Sequence, residues 1–235
     1  MAWCGVPPSL ADWLLRWNTH PAQMILLAVI LLLGLAATSG SRRRDFAFGW
    51  LVLVVAFVSP LCALTSALFS ARVLHHLLIA LIAAPLLARA FTARAAGGTG
   101  AASACFLVVM VLWHWPAAYV LSYDTVAGYW AMQVSLLFAS VWLWRTVLAP
   151  VAELMPGLVA LAVVSAGMGM LGAILTFAPI PLYPPHLGTT GAFGLTALED
   201  QQLGGLLMWV PGILPFAAAG LMLARTRFGR LAVDA

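Results

Sequence analysis

The sequence predicts an all-helical integral membrane protein, built as a bundle of seven transmembrane helices. Hydrophobic residues make up 64% of the 235-residue chain, only 8% is charged, and the mean hydropathy is +1.04. Soluble globular domains carry about 25% charged residues, so this composition excludes that class. Apolar runs of about 20 residues, the length that crosses a bilayer, recur along the chain and define the helices.

The apolar runs divide the chain into three parts. Residues 1–20 form an interfacial N-terminal segment rich in proline and tryptophan, 21–225 the transmembrane domain, and 226–235 a cytoplasmic tail. Within the domain, the spans are predicted at residues 21–38, 46–66, 72–91, 102–121, 126–148, 157–178 and 202–224. Most connections are short, and residues 179–200 form the one long, proline-rich loop.

The arginines predict the orientation of the bundle. All 11 basic residues are arginine, and cytoplasmic loops of membrane proteins carry an excess of basic residues. With the N-terminus outside and the C-terminus in the cytoplasm, only Arg16 and Arg72 fall on the outer side. The inner side then holds Arg42, Arg43, Arg44, Arg89, Arg94, Arg145, Arg225, Arg227 and Arg230. We therefore attribute the basic charge to topology and expect no nucleic-acid partner.

This orientation places the unusual polar groups of four helices at one depth. His76 lies near the start of the third helix and His114 in the outer half of the fourth, while Tyr129 and Gln133 lie near the start of the fifth and Asp200 at the start of the seventh. With a rise of about 1.5 Å per residue, both histidines lie within roughly 10 Å of the outer surface. Ionisable residues inside a membrane are functional candidates by default, so we predict a site in this outer layer.

The third helix carries three ionisable residues at its start, in the stretch SARVLHHLLIALIAAP. Arg72 and His76 are four residues apart and share a helix face, while His75 points elsewhere. An imidazole in this position can bind copper or haem iron, or relay protons. The alternative is a histidine that hydrogen-bonds to a neighbouring helix or reaches the headgroups.

The fourth helix presents His114 within VLWHWPAAY. Pro116 frees the backbone carbonyl of Leu112 and can kink the helix, which opens room beside the histidine. The alternative interpretation is an interfacial belt in which Trp113, His114 and Trp115 lie at the membrane surface.

The seventh helix begins with EDQQLGGLLMWVPG. We expect Asp200 to cap this helix and, with Gln201, to support the histidines from behind. Gly204 and Gly205 permit close helix approach. Met208 is either a soft copper ligand or a packing residue, and packing is the more common role of a buried methionine.

Other chemistry finds little support in the sequence. Cys4 and Cys62 fall on the same side of the membrane, and the sequence leaves open whether they pair; Cys105 lies at the inner end of the fourth helix. No nucleophile–base pair, phosphate-binding loop or paired carboxylate motif is present, so we predict that the protein is not an enzyme.

Taken in order, SARVLHHLLIALIAAPLLA, WHWPAAY and DQQLGGLLMWVPG resemble the CtaG-type polytopic cytochrome c oxidase assembly family, over roughly residues 20–225. The resemblance implies a seven-helix protein of the bacterial cytoplasmic membrane that matures a haem-copper oxidase and handles copper. It also implies oxidase subunits as partners, besides membrane lipid. The helix-seven matches are Asp200, Gln201, Gln202, Gly204, Gly205, Met208 and Trp209, and those of helix four are Trp113, His114 and Pro116.

The chain departs from the family pattern at the expected ligands. The third-helix pattern S-A-H-M-x-x-H keeps Ser70, Ala71 and His76, but Arg72 and Val73 replace its first histidine and the methionine. On the fifth helix, Tyr129 and Gln133 stand where the family tends to show histidines. The remaining metal ligands are then His76, His114 and Met208, with His75 or Met132 as helpers.

Two functions follow as expectations. The first is an assembly factor that assists copper or haem insertion into cytochrome c oxidase from the outer side. The alternative is a metal-free accessory subunit bound to the oxidase. A transporter is disfavoured because polar groups occupy only one end of the bundle, and a haem protein with His76 and His114 as axial ligands is a further option.

Overall fold

The computed structural model describes residues 3–91, 98–149 and 153–233, with side chains as far as residue 226. Every regular element within these ranges is a helix, which confirms the predicted all-helical fold. Arg94, which the sequence assigns to an inner loop, lies outside them.

Ten α-helices, α1 to α10, make up the described part of the chain. They are Pro21–Ala37, Gly40–Val58, Pro60–Ala67, Phe69–Leu77, Ala84–Ala90, Thr99–His114, Pro116–Asp124, Val126–Leu148, Leu154–Phe177 and Ala197–Val233. A π-helical segment, Leu78–Ala83, joins α4 to α5, and single 3₁₀ turns occur at Trp13–Leu15, Pro184–His186 and Thr190–Phe193.

Four helical segments are long and apolar enough to cross a membrane: Phe69–Ala90, Val126–Leu148, Leu154–Phe177 and Ala197–Thr226. The number rises to 6 when α2 with α3, and α6 with α7, each count as one bent span, and α1 is a shorter apolar helix. The apolar runs of the sequence therefore coincide with helices. Seven membrane crossings and the orientation of the termini stay predictions.

Prolines explain the two bends. Helices α2 and α3 meet at 49° and α6 and α7 at 75°, and in each pair the second helix starts with a proline, Pro60 or Pro116. Proline has no N–H to donate and suits the first position of a helix, where that N–H is not needed. The kink predicted at Pro116 is confirmed, whereas the Leu112 carbonyl, predicted to be free, accepts a hydrogen bond from Trp115 N at 3.1 Å.

Helices α9 and α10 pack with their backbones in contact. A Cβ atom added to Gly205 would lie 2.4 Å from Thr176 Oγ1 and 2.5 Å from Gly172 O. A Cβ atom on Gly204 would lie 2.6 Å from the ring of Phe69. The close approach predicted for Gly204 and Gly205 is therefore confirmed, and it brings the start of α10 against the start of α4.

The N-terminal segment is tied to the bundle. Cys4 and Cys62 form a disulfide bond, which answers the question that the sequence left open, whereas Cys105 is a free cysteine. The indole of Trp3 also donates to Gln23 Oε1 at 2.8 Å. These contacts lie at the end of the bundle that holds His75, His76 and His114, called the histidine end below. The opposite end, with Arg42–Arg44, Arg89 and Arg145, is called the arginine end.

Candidate functional site

Asp200 fixes the helix that carries the histidines. Its fully buried carboxylate accepts hydrogen bonds from Phe69 N at 2.6 Å, from Ser70 N at 3.1 Å and from the Ser70 hydroxyl. These backbone donors are unsatisfied at the start of α4, and a negative charge there is favoured by the helix dipole. Asp200 thus anchors α4 to α10.

The prediction that Asp200 caps its own helix is wrong. Thr196 and Glu199 do this instead: Thr196 N donates to Glu199 Oε2 at 2.8 Å, and Glu199 N donates to Thr196 Oγ1 at 3.2 Å. This reciprocal pair is a capping box, which a Thr-x-x-Glu sequence favours. Asp200 is therefore left free to reach α4.

Arg72 is a buried cation without an acidic partner. Its side chain is 1% exposed, and Nη2 donates to the Ser122 hydroxyl at 2.8 Å. The guanidinium carbon lies 4.6 Å from the centre of the Tyr119 ring, a stabilising cation–π contact. Nε and Nη1 have no hydrogen-bond partner, and no carboxylate among the described residues forms an ion pair with Arg72.

Three buried imidazoles form a row beside Arg72. The ring centres of His75 and His76 are 5.9 Å apart, and those of His76 and His114 are 6.0 Å apart. His114 Nδ1 lies 2.7 Å from Met110 O. Because a carbonyl oxygen only accepts, Nδ1 carries the proton and the lone pair of Nε2 is free. His76 Nε2 likewise has no hydrogen-bond partner in the described part of the protein.

Unpartnered polar atoms concentrate at this point of the molecule. Within the described ranges, the buried side-chain nitrogen and oxygen atoms without a hydrogen-bond partner belong to four residues: Arg72, His75, His76 and Gln133. Buried polar atoms are hydrogen-bonded in the large majority of cases, so each exception needs an explanation. Their occurrence together makes this cluster the candidate site, and the predicted binding role of the outer layer stays a prediction.

The other predicted residues have different surroundings. The Tyr129 hydroxyl lies 3.5 Å from Cys4 Sγ, and its ring packs on Trp3. Gln201 accepts from Leu182 N at 2.6 Å and donates to Leu175 O at 3.3 Å, which holds the loop after α9. Met208 is buried in the core. The structure thus brings His76 and His114 together with Arg72 and His75, while the hydrogen bonds of Gln201 lead to the loop.

His186 and Tyr119 form a hydrogen-bonded pair beside the site, although no pattern in the sequence marks them as functional. His186 Nδ1 lies 3.2 Å from Ala67 O, and the Tyr119 hydroxyl lies 2.5 Å from His186 Nε2. Burial lowers the pKa of His186 to about 4, so the ring is neutral near pH 7 and its Nε2 accepts from Tyr119. One feature of the sequence does point to His186: it is an isolated histidine in the one long loop.

Tyr183 connects the same loop to His114. Its hydroxyl donates to His114 O at 2.9 Å, and its ring stacks on Phe69 with ring centres 4.2 Å apart. The His114 carbonyl precedes Pro116 and receives this bond at the bend between α6 and α7. The loop after α9 is therefore tied to the end of α6 at His114.

The donor atoms fit copper in part. Copper accepts imidazole nitrogen, and His76 and His114 offer two nitrogens without competing partners. No group of three or more His, Cys, Asp or Glu residues close enough for a metal ion occurs among the described residues. A closed four-ligand site of the zinc type is therefore not formed by these residue types. Arg72 adds a positive charge that opposes any bound cation.

Arg72→Met is expected to raise the stability of the protein. The substitution removes a buried charge with two unpartnered nitrogens and leaves a shorter, apolar side chain, and we expect this gain to exceed the loss of the Ser122 hydrogen bond and the Tyr119 contact. We expect a gain of about 1–3 kcal/mol in the free energy of unfolding, measured by thermal unfolding in detergent. Arg16→Met, at an exposed ion pair with Asp12, is the control and should change stability by less than about 1 kcal/mol. A clear loss of stability in Arg72→Met would show that the charge is compensated.

Fold and site together define an all-helical protein with membrane-spanning helices and a buried histidine row at one end. The chain belongs to the cytochrome c oxidase caa3 assembly factor family (Caa3_CtaG), whose family model matches residues 89–228, more than half of its length. This confirms the family resemblance. The matched range contains WHWPAAY and DQQLGGLLMWVPG, whereas SARVLHHLLIALIAAPLLA, with Arg72, His75 and His76, lies before it. Comparisons with curated proteins and with solved structures give no match.

Proposed function

We propose that this protein assists copper insertion into a haem-copper cytochrome c oxidase, from the outer face of the bacterial cytoplasmic membrane. Family membership supports the oxidase as the target. The single observation that carries the copper role is the meeting of His76 and His114, which come from different helices and are both buried. Copper is here a cargo that the protein passes to oxidase subunits.

The surrounding residues suit a carrier that binds and releases. Asp200 holds α4, and the bend at Pro116 ends α6 at His114, so both imidazoles sit on rigid elements. Met208 is the candidate for a third, thioether donor. The positive charge of Arg72 lowers the affinity for a cation, and a modest affinity favours transfer to a subunit that binds copper more tightly.

Cu(I) titration against a competing chelator tests this proposal directly. We expect one Cu(I) per chain in the wild-type protein, and binding weakened at least 100-fold in the His76→Ala/His114→Ala double variant, because both nitrogen donors are lost. His20→Ala, an exposed histidine at the start of α1, is the matched control and should bind as the wild type does. Equal binding by the double variant and the wild type would contradict a site at this histidine pair.

Haem is the other cargo that the histidine pair can hold. Two imidazoles suit axial ligation of haem iron, which gives an intense absorption band in the visible region. Protein purified from cells that make haem should show this band if haem is the cargo, and the double variant should lose it. Copper binding without such a band would assign the site to copper.

A metal-free accessory subunit is the second candidate, and Arg72 is the observation in its favour. A buried cation next to three histidines disfavours any metal ion there. This candidate predicts stable co-purification with the mature oxidase in mild detergent, and oxidase assembly that does not respond to His76→Ala. The assembly-factor proposal instead predicts that deletion lowers oxidase activity and that excess copper restores it.

A further inference from the structure

An apolar cleft lies near the arginine end, away from the histidines. It has a volume of about 420 Å³ and lies between α5 with its preceding π-helical segment, α8 and α10. Ligand sites in proteins commonly fall between about 300 and 1,000 Å³. Among the described residues of its lining, Arg89 is the one that is charged, and the others include Leu81, Leu86, Trp144, Pro215 and Met222.

The walls of the cleft offer little to a polar ligand. The indole N–H of Trp144 is already used, because it donates to Ala80 O at 2.7 Å. Pro215 has no backbone N–H, and Ala218 and Ala219 add only methyl groups beside it. The small side chains on α10 thus leave the cleft open, and the apolar interior of the cleft suits a hydrocarbon chain.

Arg89 lines the cleft, and two further arginines follow residues of its lining in the chain. Arg89 Nε lies 3.2 Å from Asp45 Oδ2, an ion pair that orients a guanidinium whose side chain is 49% exposed. Arg145 directly follows Trp144, and Arg225 comes three residues after Met222. Each of the three helices that form the cleft therefore brings one arginine to the same end. Within the described ranges, neither Arg145 nor Arg225 forms an ion pair.

We propose that this cleft binds one acyl chain of an anionic phospholipid, with the lipid phosphate on Arg89. Eight residues separate Leu81 from Arg89, a rise of about 12 Å, so a chain lying along the helix would place its headgroup at the guanidinium. Arginine recognises phosphate through several N–H donors. The predicted orientation puts this end on the cytoplasmic side, where basic pockets between helices bind acidic headgroups. The proposal does not depend on the histidine row.

Lipid binding by the full chain in detergent can be followed by native mass spectrometry. Phosphatidylglycerol should bind more tightly than phosphatidylcholine of the same chain length, and Arg89→Gln should weaken phosphatidylglycerol about fivefold, as expected for one arginine. Arg16→Gln, at the histidine end, is the charge control and should bind both lipids as the wild type does. Equal binding of the two lipids by the wild type would overturn the role of Arg89.

Filling the cleft tests the acyl-chain part of the proposal. Ala218→Phe places a ring in the cleft and should weaken both lipids, whereas Ala217→Phe, at the neighbouring exposed position outside the lining, should not. Inorganic phosphate alone should not compete with phosphatidylglycerol at equal concentration. Lipid binding that is unchanged in Ala218→Phe, or full competition by phosphate, would overturn the proposal. Cu(I) binding should be the same in all these variants, which separates this test from that of the copper site.

Discussion

Asp200→Ala should destabilise the protein more than any other single polar substitution. The carboxylate accepts three hydrogen bonds at the start of α4 in a fully buried position, and hydrogen bonds to a charged group contribute about 1.5–3 kcal/mol each. Because such contributions are not additive, we expect a loss of about 4 kcal/mol in the free energy of unfolding. Thermal or denaturant-induced unfolding in detergent measures this loss.

Two further variants define the mechanism. Asp200→Asn keeps one acceptor oxygen but turns an NH2 donor toward the N–H of either Phe69 or Ser70, so it should lose most of the stability that Asp200→Ala loses. Asp12→Ala removes an exposed carboxylate near the N-terminus and should change stability by less than about 1 kcal/mol. A wild-type unfolding midpoint in Asp200→Ala would mean that the start of α4 does not depend on this bond.

The same substitution should weaken the candidate site. Arg72 and His76 follow the capped residues on α4 within one to two turns, so a frayed helix start displaces both side chains. We therefore expect Asp200→Ala to weaken Cu(I) binding even under conditions in which the protein remains folded. Unchanged Cu(I) affinity in a folded Asp200→Ala protein would show that the histidine row keeps its position without the cap.

Local features of the site could be predicted from the sequence. The kink at Pro116 follows from the chemistry of one residue, and the contact made by Gly204 and Gly205 follows from their lack of a side chain. The meeting of His76 and His114 follows from their positions along two helices of opposite direction, together with the rise per residue. Each of these inferences needs only short-range geometry.

Contacts between distant segments could not be predicted in this way. An aspartate at a helix start suggests a cap, but the sequence does not say which helix end it reaches, and Asp200 binds residues 130 positions away. His186 lies in a loop without periodicity, so no pattern in the sequence indicates that it packs beside Tyr119. The Cys4–Cys62 bond likewise depends on how residues 3–20 return to the bundle. Such pairings are decided by tertiary packing.

Gly205→Ala is the second substitution with a large expected effect, because α9 and α10 have no room for a methyl group. Its Cβ would lie 2.4 Å from Thr176 Oγ1 and 2.5 Å from Gly172 O, and a backbone oxygen cannot turn away as a flexible side chain does. Overpacking of this kind costs about 1–3 kcal/mol of stability. The higher helix propensity of alanine relative to glycine offsets about 1 kcal/mol of that cost. Since two backbone elements must separate, we expect a net loss of about 2 kcal/mol.

The control for this test is a helical glycine with free space around it. A Cβ on Gly100, in the first turn of α6, meets nothing within 4 Å, so Gly100→Ala should keep or slightly raise stability. Gly172→Ala adds a methyl group on the facing side of the same contact. The Gly172→Ala/Gly205→Ala double variant should lose less free energy of unfolding than the sum of the two single losses. The reason is that helices already separated by one methyl group can accept the second. Additive losses would show that the two glycines do not share one contact.

The same substitution should also affect Cu(I) binding. Gly204 packs on Phe69, whose N–H donates to Asp200, so separation of α10 from α9 should displace α4 as well. Cu(I) binding should therefore weaken in Gly205→Ala but not in Gly100→Ala.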